Sequence, residues 1–590
     1  MRKFIYVLLS LAALVAVGVF IAIRWLGPSY TVVVPKYVES GQLVQLNQGW
    51  NDQQRITFHH TAQGTKLIPY AWFKVLEQPC FSLSGCEPFR DPKYLSRFGF
   101  LRSQTDANVN PDGLPVGFSR QENFYDPVIQ KSYPALGLTC AACHTGELHY
   151  GKYAVRIDGA PAMIEVTKFQ KALGLALGFT QMIPFRYGRF ERNILGPNAT
   201  ADQKAELKET FDGFMKLAKA EIKYAEEQKI YLNQAGFART DALTRIGNQV
   251  FAVDMKNEKN FAPSNAPVRF PQIWDASWFT WVQYNSSIAS PMARNIGEAL
   301  GVRAIAKLYG PTASDFENSV NVEGLHTVEW LLSGAAPYQG LTSPKWPSVF
   351  PALDPAKVAK GAALYKKNCA GCHLPPVNEL VEDLNSKSPR NWWKNSLGKM
   401  FLKITDVPIE VVGTDPHEAK DFMARTAETG DLNKGTVSAA VGLDLITRGI
   451  ADRFYAKAAF PQEKRDEWNG FHADGDPAVR AIAVYKARPL NGIWAVAPYL
   501  HNGSVPNLYS LLSPKSERPA TFWLGSKRYD PEKVGFDTSE LEGGYLFETQ
   551  NPGNDNGGHE FNEGPRKNGV IGPLLSHEDR MCLIEFLKSM

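Results

Sequence analysis

Cys140-Ala141-Ala142-Cys143-His144 and Cys369-Ala370-Gly371-Cys372-His373 decide how this chain is read. Two thiols one helical turn apart match the two vinyl groups on one edge of a porphyrin, and the histidine that follows lies beneath the iron as an axial ligand. A thioredoxin-like Cys-x-x-Cys needs no trailing histidine, and zinc would need a further close Cys/His pair. Both motifs therefore predict covalent c-type haem. Cys140, Cys143, Cys369 and Cys372 are the attachment points, and His144 and His373 the iron ligands. The two histidines lie too far apart in sequence for one small cytochrome, so two cytochrome c-like domains are expected, packed so that their haems exchange electrons.

Outward from the motifs, apolar periodicity predicts helices near 165–178, 202–228, 292–308, 316–333, 416–429, 437–458 and 476–487. Asp354-Pro355, a capping residue followed by proline, starts a helix that runs to about Asn368, just before the second motif. Ser576 caps a last helix to Met590, with Glu578 and Asp579 in its first turn. The proline- and glycine-bearing run from Ser333 to Pro355 reads as a linker. Strand-like alternation is sparse. The expected fold is mainly α: two cytochrome c-like domains with long ordered loops, preceded by an N-terminal transmembrane helix. The segments are 1–26 (membrane anchor), 27–345 (first haem domain) and 346–590 (second haem domain).

The anchor rests on Phe4 to Ile23, a run without a charge that follows Met1-Arg2-Lys3 and precedes Arg24. As a helix it reaches about 30 Å, the thickness of a bilayer's hydrocarbon core. No small-residue cleavage site follows, so an uncleaved anchor is preferred to a signal peptide or a buried core helix. Arg2 and Lys3 keep the start cytoplasmic and place the remainder in the periplasm of a bacterial inner membrane, where c-type attachment also takes place. Cys80 and Cys86 flank a short loop and either pair there or stay free. Cys582, in an apolar helix, reads as a buried thiol. A net charge of +4 without a basic cluster excludes a nucleic-acid partner.

The sixth ligands separate an electron carrier from an enzyme. For the second haem the candidates are Met423, His501 and His559. Met423 lies in a helical run and reads as core, whereas the two histidines sit in rigid or glycine-rich loops that can aim a side chain. For the first haem, His149 is too close to His144 to reach the far face, and Met163 and Met182 are more often core, so an open distal side is expected.

The stretch Arg488 to Leu508, with Ala497-Pro498-Tyr499-Leu500-His501-Asn502-Gly503-Ser504 at its centre, resembles the signature of bacterial di-haem cytochrome c peroxidases. That family includes the methylamine dehydrogenase maturation enzyme, and within it this chain is most similar to the larger branch near the haem-dependent rubber oxygenases. Gln63 to Tyr70, Arg294 to Glu298, Arg518 to Phe522 and Gly558 to Glu560 support the resemblance. It implies a six-coordinate electron-transfer haem in the C-terminal domain, with His559 as distal ligand and His501 beside it. It also implies an N-terminal haem at which peroxide or dioxygen reacts. The family places an aromatic residue near both haems, matched here by Trp281 and Tyr284. The distal acid that helps break the O–O bond is matched by Glu298. A second acid of the peroxidases is missing from Gly301-Val302-Arg303-Ala304-Ile305-Ala306. Relatives hold a calcium ion between the domains, the one further cofactor the resemblance raises.

The leading expectation is a peroxidase-like enzyme that takes electrons from a periplasmic donor protein or a quinol-linked donor. An oxygenase related to the rubber-cleaving enzymes, or a plain di-haem electron carrier, are the alternatives.

Overall fold

A computed structural model describes residues 31–39, 41–230, 233–472 and 478–590. The expected anchor, Phe4 to Ile23, lies outside the described residues. Among the described residues no helix is long and apolar enough to cross a membrane.

The fold is mixed, with 39% helix and 17% strand, and not mainly α. The longest strands lie around the first motif. Phe118–Asp126 and Lys131–Leu138 form an antiparallel hairpin, extended by Ile68–Pro69. A second sheet pairs Gln42–Gln45 in parallel with Tyr153–Asp158, which in turn pairs antiparallel with Thr145–Tyr150. The helical turn Cys140–Cys143 is the connection between the two sheets. Apolar side chains hold both sheets: Phe118, Leu136 and Leu138 in the first, Leu148, Val155 and Ile157 in the second are all buried. Runs of consecutive buried residues, as in Ala135–Leu138 and Ala154–Asp158, hide the two-residue alternation by which half-exposed strands are recognised.

Several helices form where periodicity and capping place them. They are Val166–Met182, Ala201–Glu227, Pro355–Asn368, Ala439–Lys457 and His577–Ser589. Asp354 accepts from the Ala356 N–H at 2.9 Å, and Ser576 accepts from the Asp579 N–H at 3.1 Å. The Pro355–Asn368 and His577–Ser589 helices cross at Gly361, where a Cβ would stand 2.1 Å from the Cys582 carbonyl oxygen. Leu583, Ile584 and Leu587 are buried there, each stabilising the packing by about 2 kcal/mol. Three helices are shorter than their apolar patterns: Pro291–Gly301, Val322–Ser333 and His417–Ala424. The segment read as a helix over 476–487 ends in a strand, Val484–Ala487, paired antiparallel with Thr405–Pro408. That long-range partner overrides a local pattern that suits a helix.

The largest core takes Trp50, Ile157 and Trp274 together with Trp494, Tyr529 and Leu583, so side chains from both sides of residue 345 share one interior. Cys80 and Cys86 form a disulfide, and Cys582 is a buried free thiol.

Candidate haem sites

The first motif is fixed by its backbone. The Thr139 N–H donates to Gly117 O at 2.8 Å, His144 N–H to Cys140 O at 3.0 Å, and Ala162 N–H to Cys143 O at 2.9 Å. Gly117 (φ +86°) lets the turn approach: a Cβ there would be 2.2 Å from Ala142 Cα. Gln63 Nε2 lies 3.1 Å from Cys140 Sγ. His144 Nδ1 is 2.8 Å from the Pro271 carbonyl oxygen. That bond orients the ring and leaves Nε2 for a metal. Burial pushes the His144 pKa down to about 4, so the ring is neutral and able to act as a ligand. Phe270 is the ring that packs beside His144, at 6.4 Å.

A polar wall faces this motif. Arg294, Asn295 and Glu298 come from the Pro291–Gly301 helix, and Glu329 from Val322–Ser333. Arg294 and Asn295 both donate to Glu329 Oε2, the latter at 2.8 Å, and Glu329 Oε1 has no partner. Glu298 accepts from Gln283 Nε2 at 3.2 Å. Burial raises the Glu298 pKa, and Arg294 and the Gln283 bond pull against it. Glu298, Arg294 and Glu329 are all close enough to act electrostatically on the Cys140 thiol. Glu329 and Gln283 escape sequence reading. The one available signal is an acid at a core-facing position of the Val322, Leu325, Val328, Leu332 stripe.

The second motif repeats the tether. His373 Nδ1 is 2.8 Å from the Arg488 carbonyl oxygen, and burial again lowers its pKa. Here, however, a second imidazole stands opposite. The His373 and His559 ring centroids are 6.0 Å apart, at 65°. Burial, and then the neighbouring His373 and Arg518, push the His559 pKa down to about 3. Its Nδ1 is buried without a hydrogen-bond partner. Two neutral buried imidazoles facing one another could both serve as ligands to one metal ion. The residues present fit a haem iron held between His373 and His559.

The His559 loop is held in an unusual conformation. His559 (φ +48°) follows Gly558 (φ +73°), and a Cβ on Gly558 would meet Gly413 C at 2.2 Å. His559 N–H donates to Val412 O at 2.8 Å. The Arg518 guanidinium donates to the carbonyls of Asn556, Gly558 (2.9 Å) and His559 (3.1 Å). Asn502 Nδ2 and Ser504 Oγ hold Asp555 O at 2.9 and 3.0 Å. The Ala497–Ser504 block thus braces the loop that presents His559. His501 itself stacks on Tyr485 at 4.1 Å and lies 6.2 Å from Tyr284.

The remaining sequence candidates are placed as follows. Met423 is exposed and not a core methionine. Met163 is buried in the core and Met182 is exposed. His149 is bonded to Glu147 at 2.9 Å. Trp281 carries the Arg480 guanidinium on its face at 3.7 Å. Tyr284 has a buried hydroxyl without a partner and lies under Arg269. Among the described residues no group of three or more His, Cys, Asp or Glu side chains is arranged to hold a metal ion, so the calcium expectation gains no ligand set.

Comparison with known proteins bears on these sites. Residues 484–523 match a family model described as RoxA-like, cytochrome c-like. The match lends support to the rubber-oxygenase branch of the resemblance. It contains Arg488, the Ala497–Ser504 block and Arg518, and a cytochrome c-like domain implies a covalently bound c-type haem. An uncharacterized protein of Sinorhizobium fredii (strain NBRC 101917 / NGR234), y4iJ, is 41% identical over 609 aligned residues, covering 100% of this chain and 99% of the relative. A second uncharacterized protein of that strain, y4iM, is 26% identical over 269 residues, 45% of this chain and 48% of the relative.

Proposed function

Because the chain belongs to the family of the rhizobial y4iJ protein and carries a RoxA-like cytochrome c segment, we propose that it is a di-haem c-type oxidoreductase with unequal sites. The observation that carries this reading is the asymmetry between the motifs. His373 is faced by His559 at 6.0 Å, whereas the ring beside His144 is Phe270, and Arg294, Glu298 and Glu329 lie near Cys140. Haem bound at the two motifs supplies one-electron chemistry, as a store at the closed site and on an O–O bond at the open one. The chain's own residues do the rest. His144, His373 and His559 would hold the iron, and the Pro271 and Arg488 carbonyls fix the rings of His144 and His373. Glu298, its pKa raised and its orientation set by Gln283, moves a proton between the oxygens of the bound molecule.

That acid favours peroxide reduction. The RoxA-like match favours a second reading, oxygenation by activated dioxygen. Spectra of the purified holoprotein, with and without peroxide and cyanide, test the proposal. One high-spin or exchangeable haem beside one inert low-spin haem is expected. Two inert low-spin haems would leave only a plain electron carrier, and a stable complex with dioxygen in the isolated protein would favour the oxygenase.

Export to the periplasm and anchoring by the N-terminal run belong to the same proposal, as does supply of electrons by a periplasmic or quinol-linked donor. Support for export comes from covalent haem attachment and from the Cys80–Cys86 disulfide. The two-domain division near residue 345 is kept as an assignment of one haem to each part.

A further inference from the structure

Both proximal histidines lean on backbone carbonyls, and one side chain joins those carbonyls. His144 Nδ1 is bonded to Pro271 O. The next carbonyl, Gln272 O, accepts from Arg488 Nη1 at 2.6 Å, and Trp274 O accepts from Arg488 Nη2 at 2.9 Å. Arg488's own carbonyl is the partner of His373 Nδ1. A strut thus runs from one ring to the other through the 271–272 backbone and the buried Arg488. Asp275, two positions beyond Gln272's neighbour Ile273, is held by Asn491 at 2.6 Å and offsets the Arg488 charge. A parallel tie leaves the strand that ends just before Arg488: Lys486 N–H and Nζ donate to Tyr284 O and Gln283 O at 2.8 and 2.6 Å, and Gln283 bonds Glu298.

We propose that Arg488 is the positioning residue that couples the two haem sites, so that a ligand bound opposite His144 is felt at the His373–His559 pair. This inference rests on the di-haem reading above. Arginine suits the role because its planar fork holds two carbonyls in one fixed geometry, whereas the ammonium of lysine is a point charge on a flexible stem. Displacing the His144 ring by fractions of an ångström moves the 271–274 segment, and through it the carbonyl that orients His373. Coupling of this kind is a difference in ligand affinity that must appear reciprocally at the other site.

The test uses the full-length holoprotein with cyanide as the probe, comparing wild type with Arg488→Ala and Arg488→Lys. The readouts are the electron paramagnetic resonance signal and the reduction midpoint of the low-spin haem. Cyanide is expected to shift both in wild type, not at all in Arg488→Ala, and by an intermediate amount in Arg488→Lys. If Arg488→Ala does not fold, the reduced shift in Arg488→Lys carries the test alone. A shift of wild-type size in a folded variant, or no shift in wild type, overturns the coupling. Fewer than two haems per chain, or no cyanide binding to wild type, overturns the di-haem reading itself.

Discussion

His559 is where ligand chemistry is most exposed to a single substitution. Removing its imidazole leaves His373 with no ring opposite, so His559→Ala should convert the second haem from low to high spin, read by electron paramagnetic resonance. A retained low-spin signal would move the ligand to another residue. In the proposed chemistry Glu298 would act through protonation and not through the metal. Glu298→Gln should keep both haem spectra and lower peroxide turnover by about 10²- to 10⁴-fold, the usual contribution of a general acid–base group. Turnover within a factor of two of wild type would remove Glu298 from the chemistry. At this scale the Cys-x-x-Cys-His motifs were legible because each encodes its chemistry in five consecutive residues. Glu329, Gln283 and the Arg488 side chain were not, since their roles depend on partners far away in sequence.

At the scale of elements, the loop ending in His559 owes its shape to backbone close approach. A methyl group on Gly558 has to displace Gly413 at a positive φ, so Gly558→Ala should destabilise the protein by more than about 1 kcal/mol and raise the high-spin fraction of the second haem. An unchanged melting temperature and spectrum would contradict the packing described. A second element carries a pH signature. Glu165 caps the Val166–Met182 helix, and burial pushes its pKa up to about 7 from 4.5. The folded state holds this proton more tightly than the unfolded chain. Its contribution to stability is therefore complete below about pH 4.5 and is lost as pH rises through 7, by up to about 3 kcal/mol. Glu165→Gln keeps an acceptor for the helix N-terminus without titrating, so the fall in melting temperature between pH 5 and 8 should shrink. An identical slope in the variant would reject the assignment.

The same elements show what sequence could and could not reveal. The Ala201–Glu227 and Ala439–Lys457 helices are written in local periodicity, and His577–Ser589 in its cap. The hairpin of Phe118–Asp126 and Lys131–Leu138 is not, because burial along its strands comes in runs and does not alternate. Val484–Ala487 was misread because its strand character comes from Thr405–Pro408, some eighty residues earlier in the chain.

At the scale of the whole molecule, the two motifs are parts of one structure. Side chains from either side of residue 345 share the largest core, and Arg488 connects the tethers of both proximal histidines. Sheets flank the first motif, and the loop that presents His559 faces the second, so the two motifs have different surroundings. Covalent haem at both motifs is the condition for all of it. Intact-mass analysis of the exported, denatured protein measures that condition directly. Two haem masses retained per chain are expected, falling to one when Cys369 and Cys372 are both replaced by serine. A native chain that carries one added haem mass, or none, would contradict the account.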